Sequence, residues 1–484
     1  MQDLLQSAFD PEAFRRQGHA LVDTLAGYLA GAQTGRRETV TDYRHPDEEL
    51  AYWQADFSRP PAGDPLPLLE DVLERSIHLH HPRYMGHQVA PPLPLAALTG
   101  MLTSLLNNGM ALYEMGQVST ALERVVTDWL ARKLGFPAAA SGFLTSGGTL
   151  ATLTALLAAR AAKAPGDVWE RGTSDRLAVL VSEQAHYCVD RAVRIMGLGE
   201  EGVVKIPVDD RFGMRTDLLA EAYAAARARG LTPFAVVGSA CSTATGSYDD
   251  LAAVADFCAG HGLWFHADGA HGAAVVVSEA YKGLVRGIER ADSVVVDFHK
   301  MLLAPALVTA VVFRSGEDGF RTFQQKAQYL WKDQQSPEWF NLGKRTFECT
   351  KVMMSVKVYA TLRTYGEALF AANVDALYGL ARRLGEMIGE RPDFELATAP
   401  QANIVCFRYV GRGGGGEREN ETNGRIRQEL LREGRFYLVQ TTLRGKLYLR
   451  VTLMNPFTTE AHLAEMLAAV TALANRLHPA GTAG

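Results

Sequence analysis

The chain has 484 residues, of which 47% are hydrophobic and 21% are charged. This is long enough for one large domain with smaller additions, and the composition is that of an ordinary globular protein. A net charge of -5 and a pI near 6.2 give no electrostatic footprint for nucleic acid, which favours small-molecule chemistry.

The N-terminus, MQDLLQSAFDPEAF, lacks the basic and apolar regions of a secretory signal. The five cysteines are widely spaced and contain no CxxC pair. We therefore expect a cytoplasmic protein with reduced thiols and no metal site. Residues 88–113 and 134–159 are weakly charged over the length of a membrane span, but Pro, Gly, Asn and Ser interrupt both, so we expect buried core and no membrane association.

In chain order, residues 1–82 are rich in helix formers and predict a helical segment that packs on the main domain or on a partner subunit. Residues 83–375 are expected to form a large domain, and residues 376–484 a small α+β domain. One long helix is predicted from Val352 to Ile388, and the Gly-rich run 411–424 predicts a surface loop.

A Ser-Gly-Gly-Thr turn joins a short apolar strand to a long helix, at Ser146, Gly147, Gly148 and Thr149. Glycines let the backbone approach a ligand closely. The free N–H groups at the start of a helix, together with the two hydroxyls, suit a phosphate. The turn alone is weak support, because most Gly-Gly pairs before a helix are only turns.

Four apolar runs then alternate with helical stretches, a pattern typical of an α/β protein whose mostly parallel central sheet is flanked by helices. Polar residues follow each run: His186 after 177–181, Ser242 and Thr243 after 234–237, Asp268 after 263–265, and His299 with Lys300 after 293–296. In an open parallel sheet the ligand crevice lies outside the carboxyl ends of the strands. We therefore expect these positions to converge on one site.

Lys300 lies between two apolar runs, where loss of hydration is expected to lower its pKa towards that of a free amine. A free amine forms a Schiff base with an aldehyde, and pyridoxal phosphate (PLP) is the usual aldehyde cofactor. Asp268 would pair with the pyridine nitrogen, and the small Ala270 would leave room for the ring. His186 would stack on the ring, and His299 would help the Ser146–Thr149 turn to hold the phosphate.

The stretches SGGT, SEQAHYCVDRAV, STATGSYD, HADGAHG and DFHKM resemble motifs of the group II PLP-dependent decarboxylases, which act on glutamate, cysteine sulfinate, 2,4-diaminobutyrate or aromatic amino acids. The similarity runs from about Tyr52 to the C-terminus. It implies a fold type I PLP enzyme that works as a homodimer with shared active sites. The resemblance makes Lys300 the Schiff-base lysine, Asp268 the partner of the ring nitrogen, His186 the stacking histidine and Thr243 a neighbour of the ring.

Two further stretches extend the resemblance. KAQYLWK is similar to a mobile catalytic loop whose tyrosine protonates the carbanion, which gives Tyr329 that role and favours non-oxidative decarboxylation. YLRVTLMNPFTT is similar to a motif whose arginine holds the substrate α-carboxylate, which implicates Arg450. His87, Gln88 and His271 are expected near the substrate side chain.

The chain also departs from the family pattern. Asp297 replaces a common Asn near the phosphate, and Gly269 and His271 replace an Ala and an aromatic residue. The run NNGMALYEMGQV favours a small polar or acidic substrate, of the glutamate, aspartate, cysteine-sulfinate or 2,4-diaminobutyrate type. The alternatives are an aromatic-L-amino-acid decarboxylase, an aminotransferase or carbon–sulfur lyase of the same fold, and a scaffold that keeps an inactive PLP pocket.

Overall fold

The computed structural model describes residues 2–173, 175–323, 338–411 and 417–477. The chain forms two compact units. Unit 1 comprises residues 1–87, 386–397 and 406–484, and unit 2 comprises residues 88–385 and 398–405. The chain therefore crosses between the two units four times, and the division at 82 and 375 stays a prediction.

The bounds of the regular elements follow the apolar patterns of the sequence. The α-helices of the described residues are α1 Gln2–Ala8, α2 Pro11–Gln33, α3 Pro46–Phe57, α4 Leu66–Arg75, α5 Pro94–Leu106, α6 Gln117–Lys133, α7 Gly148–Lys163, α8 Val168–Arg171, α9 Cys188–Ile195, α10 Leu219–Ala228, α11 Leu251–His261, α12 Met354–Tyr365, α13 Ala368–Gly389, α14 Glu417–Glu433 and α15 Glu460–Leu477. The strands are β1 Ser141–Thr145, β2 Leu177–Ser182, β3 Val203–Ile206, β4 Thr232–Ser239, β5 Trp264–Asp268, β6 Ser293–Asp297, β7 Thr309–Phe313, β8 Phe394–Leu396, β9 Ile404–Tyr409, β10 Val439–Leu443 and β11 Lys446–Thr452.

A sheet in the order β1-β7-β6-β5-β4-β2-β3 forms the centre of unit 2. The pairs from β6 to β3 are parallel, and β7 runs antiparallel to both β6 and β1. Strands β2, β5 and β6 are buried along their whole length, as expected for a parallel sheet covered on both faces. The predicted mostly parallel α/β fold is confirmed. The short β3 was missed because it is only partly buried and carries a lysine.

The core of unit 2 lies between the sheet and α7, which packs against β4, β5, β6 and β7. Its apolar residues include Phe143, Phe234, Trp264 and Phe313, all almost fully buried. The sheet and α7 together fix the Ser-Gly-Gly-Thr turn, because the turn joins β1 to α7.

Unit 1 holds the helices α1 to α4 and most of a second sheet, in the order β10-β11-β9-β8. The β10–β11 and β8–β9 pairs are antiparallel. An isolated bridge joins Tyr84 to Tyr437, and their rings stack with centroids 5.5 Å apart. The predicted helical N-terminal segment and small α+β C-terminal part are both present.

Two local predictions are wrong. The helix expected from Val352 to Ile388 is broken at Gly366, whose φ of +71° ends α12 before α13 begins. The loop expected through residue 424 is helical from Glu417 onwards, because Ile426 and Leu430 of α14 are buried and hold its apolar side. In the described part of the chain, no helix has both the length and the apolar character to cross a membrane.

Candidate active site

A cavity of about 250 Å³ opens in unit 2 where β2, β4, β5 and β6 end. Its lining residues come from turns that follow strands distant in sequence, as expected for a parallel sheet. The cavity is lined by Ser146, Gly147, Gly148, Thr149, His186, Cys188, Cys241, Thr243, Asp268, Ala270, His271, Asp297, His299, Lys300 and Leu307. All ten residues expected around the cofactor, and His271 from the substrate set, therefore meet in one place.

Lys300 is partly buried, with its side chain 19% exposed, and points its ammonium at Asp297, with 2.7 Å between Nζ and Oδ2. Burial by itself would lower the pKa of Lys300, but the Asp297 carboxylate and the more distant Asp268 outweigh burial and raise that pKa. The expected drop in pKa is therefore wrong for this state of the protein. Desolvation alone could be foreseen from the apolar flanks, whereas the carboxylate contact could not.

Asp297 ends β6 with its side chain only 2% exposed. Its carboxylate accepts hydrogen bonds from Lys300 Nζ and from Thr309 Oγ1, and His299 Nε2 lies 3.7 Å from Oδ2. Burial opposes ionisation, but the neighbouring Lys300 and His299 together lower the pKa of Asp297. Asp297 is therefore a charged carboxylate inside the cavity.

Asp268 ends β5, and its Oδ1 accepts a hydrogen bond of 3.2 Å from the Ala270 amide. The Cys188 thiol lies 3.9 Å from Oδ2 and 3.7 Å from Thr152 Oγ1. This carboxylate is thus held by a backbone amide and a thiol, with its charge directed at the cavity. It has the chemistry needed to pair with a protonated ring nitrogen.

His186 lines the same cavity, and its Nδ1 accepts a hydrogen bond of 3.3 Å from the Cys188 amide. Burial lowers the pKa of His186 below its ordinary value, although the charge of Asp268 opposes the shift. A neutral imidazole next to a carboxylate can stack on an aromatic ring without adding a positive charge.

The Ser-Gly-Gly-Thr turn places Gly147 at φ +123°, a conformation that favours glycine. Helix α7 starts at the next residue, so the amides of its first turn face the cavity end of the helix. A Cβ on Gly148 would lie 3.4 Å from Asp297 Oδ1, which shows how closely the turn approaches β6. The Ser146 hydroxyl donates to Glu348 Oε1 at 2.9 Å.

These residues fit PLP. The cavity contains an amine for the aldehyde, a buried carboxylate for the ring nitrogen and a Gly-rich helix start with two hydroxyls for the phosphate. One feature opposes the fit: Asp297 carries a negative charge close to the turn that would receive a phosphate. The donor set as a whole defines a site for an aldehyde cofactor with an anionic arm.

Four predicted residues remain to be located. Tyr329 lies outside the described residues. His87 and Arg450 belong to unit 1, where burial and the neighbouring Arg450 and Arg427 lower the pKa of His87. Arg450 is 7% exposed and pairs with Val439 across the β10–β11 ladder. Gln88 begins unit 2.

His271 is buried in the cavity wall, with Nε2 2.7 Å from Asn403 Oδ1. Sequence reasoning missed three lining residues: Cys188, Cys241 and Leu307. The position of Cys188, two residues after His186, and of Cys241, directly before Ser242, was the available signal. Leu307 offered none, because it reads as part of the β7 apolar run.

Comparison with known proteins gives the same class. Residues 69–410 match the family described as the pyridoxal-dependent decarboxylase conserved domain. An aromatic-L-amino-acid decarboxylase from Bacillus atrophaeus is 29% identical over 96% of both chains. An L-2,4-diaminobutyrate decarboxylase from Acinetobacter baumannii is 28% identical over 86% of this chain and 84% of its own. The crystal structure of mouse CSAD is 25% identical, with a TM-score of 0.89 over 96% of this chain and 99% of that chain.

The fold and the cavity define a fold type I PLP enzyme. The chain belongs to the pyridoxal-dependent decarboxylase family, because the family match covers well over half of it. The predicted family, the PLP requirement and the carboxy-lyase activity on amino acids are confirmed. The aminotransferase, carbon–sulfur lyase and inactive-scaffold alternatives are therefore set aside.

Proposed function

We propose that this decarboxylase acts on a small polar or acidic L-amino acid and works as a cytoplasmic homodimer with shared active sites. The observation that carries the assignment of residues is the single cavity that contains Lys300, Asp268 and the Ser146–Thr149 turn. A chance meeting of an amine, a buried carboxylate and a Gly-rich helix start is improbable, because they come from the ends of three separate strands, β6, β5 and β1.

In this proposal Lys300 holds the cofactor aldehyde, Asp268 pairs with its ring nitrogen, and His186 stacks on the ring. Ser146, Gly147, Gly148, Thr149 and His299 hold the phosphate, with Ala270 and Thr243 beside the ring. When bound, PLP accepts into its ring the electrons that the departing carbon dioxide leaves behind.

Two residues act on the substrate itself. The Arg450 guanidinium binds the two oxygens of the α-carboxylate, for which its planar fork is suited, and so fixes which bond to Cα breaks. The Tyr329 hydroxyl then gives its proton to Cα. We expect Tyr329→Phe to lower amine formation by about 10²-fold or more, with the substrate KM little changed. An unchanged rate of amine formation would remove Tyr329 from this role.

The polar cavity wall supports the substrate class. His271 stands where an aromatic side chain is common and is tied to Asn403 at 2.7 Å, so this wall offers a polar surface. With His87 and Gln88 it is proposed to contact the substrate side chain. An aromatic substrate is the second candidate, because the Bacillus atrophaeus relative that matches over 96% of both chains carries that name.

The substrate assignment is tested by carbon dioxide and amine formation from a panel of L-amino acids with added PLP. We expect kcat/KM for aspartate, glutamate, cysteine sulfinate or 2,4-diaminobutyrate to exceed that for tyrosine and tryptophan by about tenfold or more. A preference for the aromatic substrates would replace the proposal by the second candidate.

The role of Lys300 is tested with Lys300→Ala. After borohydride reduction of the PLP-supplied protein, mass spectrometry should find the added cofactor mass on wild type and none on the variant. Turnover should fall by about 10³-fold or more. The matched control is Lys205→Ala, which removes a surface lysine paired with Asp190 at 2.6 Å. A Lys300→Ala protein that still binds PLP covalently and turns over normally would refute the assignment.

The homodimer is supported by the exposed face of α5. Five apolar side chains at helical spacing are each about half exposed there: Leu98, Met101, Leu102, Leu105 and Leu106. A contiguous apolar stripe on a helix surface is typical of a subunit interface. Light scattering should give twice the chain mass, and Leu102→Glu should shift the protein towards the monomer.

Shared sites are tested by mixing. Lys300→Ala and Tyr329→Phe proteins, unfolded together and refolded, should regain up to about a quarter of wild-type activity if each site takes these residues from different subunits, because one site in each mixed dimer is then intact. No recovery in demonstrably mixed dimers would mean that both residues come from one chain.

A further inference from the structure

The cavity contains one charged side chain for which the decarboxylase chemistry described above has no use. Asp297 is buried, ionised and 2.7 Å from the lysine that would hold the cofactor. We propose that Asp297 is a positioning residue that holds Lys300 as an ammonium ion in the cofactor-free protein and thereby slows the capture of PLP. This proposal rests on the proposed role of Lys300.

The chemistry of capture explains why an ion pair would slow it. The lone pair of a free amine attacks the aldehyde carbon, a carbon–nitrogen double bond forms, and the aldehyde oxygen leaves as water with the two hydrogens of that amine. An ammonium ion has no lone pair, so it must first release its extra proton to Asp297 or to solvent. Attachment is therefore limited by the fraction of Lys300 that is unprotonated.

Among the described residues, Asp297 makes the closest charged contact with Lys300. It is the carboxylate that hydrogen-bonds to Nζ, and the Lys300 amide also lies 3.4 Å from the Asp297 carbonyl oxygen. The other titratable groups that face this lysine are His299 on the same turn and, from four further elements, Asp268 at the end of β5, His186 after β2, Cys188 on α9 and Cys241 after β4. Of these, only Asp268 carries a second negative charge.

Asp297 also lies beside the proposed phosphate site. Its two carboxylate oxygens are 3.4 and 3.5 Å from the point where a Cβ on Gly148 would stand, under the first residue of α7. A carboxylate at this position repels a phosphate, and the repulsion is strong where water is largely excluded. Both effects of Asp297 therefore act in one direction, against cofactor binding.

The test measures cofactor uptake by the cofactor-free protein, not turnover. PLP is mixed with wild type and with Asp297→Asn, and absorbance follows attachment across pH 6.5–10. For wild type, the rate should keep rising with pH over this range. For Asp297→Asn, we expect the attachment rate to stop rising at a lower pH than in wild type. At pH 7 the attachment rate should be higher than that of wild type by about tenfold for each unit by which the Lys300 pKa falls. The Kd for PLP should also be lower.

The matched control is Asp190→Asn, which makes the same change at an Asp–Lys pair of 2.6 Å on the surface of unit 2. It should load PLP at the wild-type rate. Equal rates and equal pH profiles for Asp297→Asn and wild type would overturn the proposal. Loss of attachment in Lys300→Ala together with unchanged loading in Asp297→Asn would overturn this inference alone and leave the proposed function in place.

A measurement on wild type covers the case in which Asp297→Asn does not fold. Reductive methylation of the cofactor-free protein at a series of pH values, read by mass spectrometry at Lys300, gives the pH at which its amine becomes free. A midpoint above 10.5, the ordinary lysine pKa, supports the proposal, and a midpoint below that value overturns it.

Discussion

Unit 2 contains two lysine–carboxylate pairs with buried carboxylates and nearly equal N–O distances, whose lysine pKa values shift in opposite directions. Lys300 Nζ lies 2.7 Å from Asp297, and Lys351 Nζ lies 2.5 Å from Glu123. The pKa of Lys300 is raised, whereas burial lowers the pKa of Lys351 despite its carboxylate. Contact distance alone therefore does not decide what a buried pair does.

The Lys351 pair has a structural task at the edge of the sheet. Both partners hydrogen-bond to the backbone of Leu144, which lies on the outer strand β1. Lys351 Nζ donates to the Leu144 carbonyl at 2.6 Å, and the Leu144 amide donates to Glu123 at 3.0 Å. The pair thus takes the place of a neighbouring strand and satisfies backbone groups that a sheet edge leaves open. The nearby Arg345 adds to the shift of the Lys351 pKa.

Lys300 differs in what lies beyond its partner. Its side chain is 19% exposed, against 3% for Lys351, and the exposed part borders the cavity. A second carboxylate, Asp268, raises the Lys300 pKa further. Lys351 thus donates to two groups of the fold and is closed off from solvent, whereas Lys300 borders a cavity from which a ligand can reach it.

The largest stability effect is expected from Lys351→Met. It leaves the Glu123 carboxylate buried without its ammonium and the Leu144 carbonyl without its donor, which should cost about 3–5 kcal/mol in urea unfolding. Lys300→Met should cost less, about 1–3 kcal/mol, because Lys300 borders the cavity, from which water can take its place beside Asp297, and Thr309 remains a donor to that carboxylate. Equal losses in the two cofactor-free variants would contradict the distinction between the pairs.

Replacing both members of the Lys351–Glu123 pair is expected to restore part of the stability that Lys351→Met loses, which is a smaller effect. In Glu123→Gln/Lys351→Met, the amide of Gln can accept from the Leu144 amide and donate to its carbonyl without any buried charge. This double variant should regain about 2 kcal/mol relative to Lys351→Met. If the double variant is no more stable than the single one, the unpaired carboxylate is not the cause of the loss.

The smallest effect is a dependence on pH. A lysine whose folded pKa lies below its unfolded value of 10.5 binds fewer protons in the folded state, so stability rises with pH from that folded pKa up to 10.5. The advantage of wild type over Glu123→Gln/Lys351→Met should therefore grow as pH increases towards 10.5, by at most about 1.4 kcal/mol per unit. Lys300 adds no pH dependence in this window, because its folded pKa is raised, so its contribution to stability is constant below 10.5 and is lost only above that value. A flat difference between pH 8 and 10.5 would show that the Lys351 pKa is not lowered.

The sequence was sufficient to predict most of the sheet, though not β3, and most of the cavity. Apolar runs mark β2, β4, β5 and β6, and parallel strands bring the residues after them together, which is how His186, Asp268 and Lys300 could be placed in one site. The roles of these residues stay predictions, as does that of Tyr329.

Side-chain contacts between distant elements could not be predicted. The direction of the Lys300 pKa depends on how Asp297 turns at the end of β6, and no pattern in the sequence encodes that rotamer. The start of α14 was missed because a run of glycines directly precedes it, and glycine favours loops. The break at Gly366 was missed because the apolar spacing continues on both sides of it.

The hydrogen bond from Ser146 to Glu348 has a consequence for the empty and filled states of the cavity. A serine hydroxyl has a single hydrogen to donate, so Ser146 can give it to Glu348 or to a phosphate oxygen, but not to both. The carboxylate of Glu348 thus competes with the cofactor's anionic arm for one donor. Filling the cavity would then release Glu348 from the turn between β1 and α7, while Lys351 keeps its bond to Leu144 on β1, so the hydrogen bonding of the Glu348 carboxylate would report whether the cofactor is present.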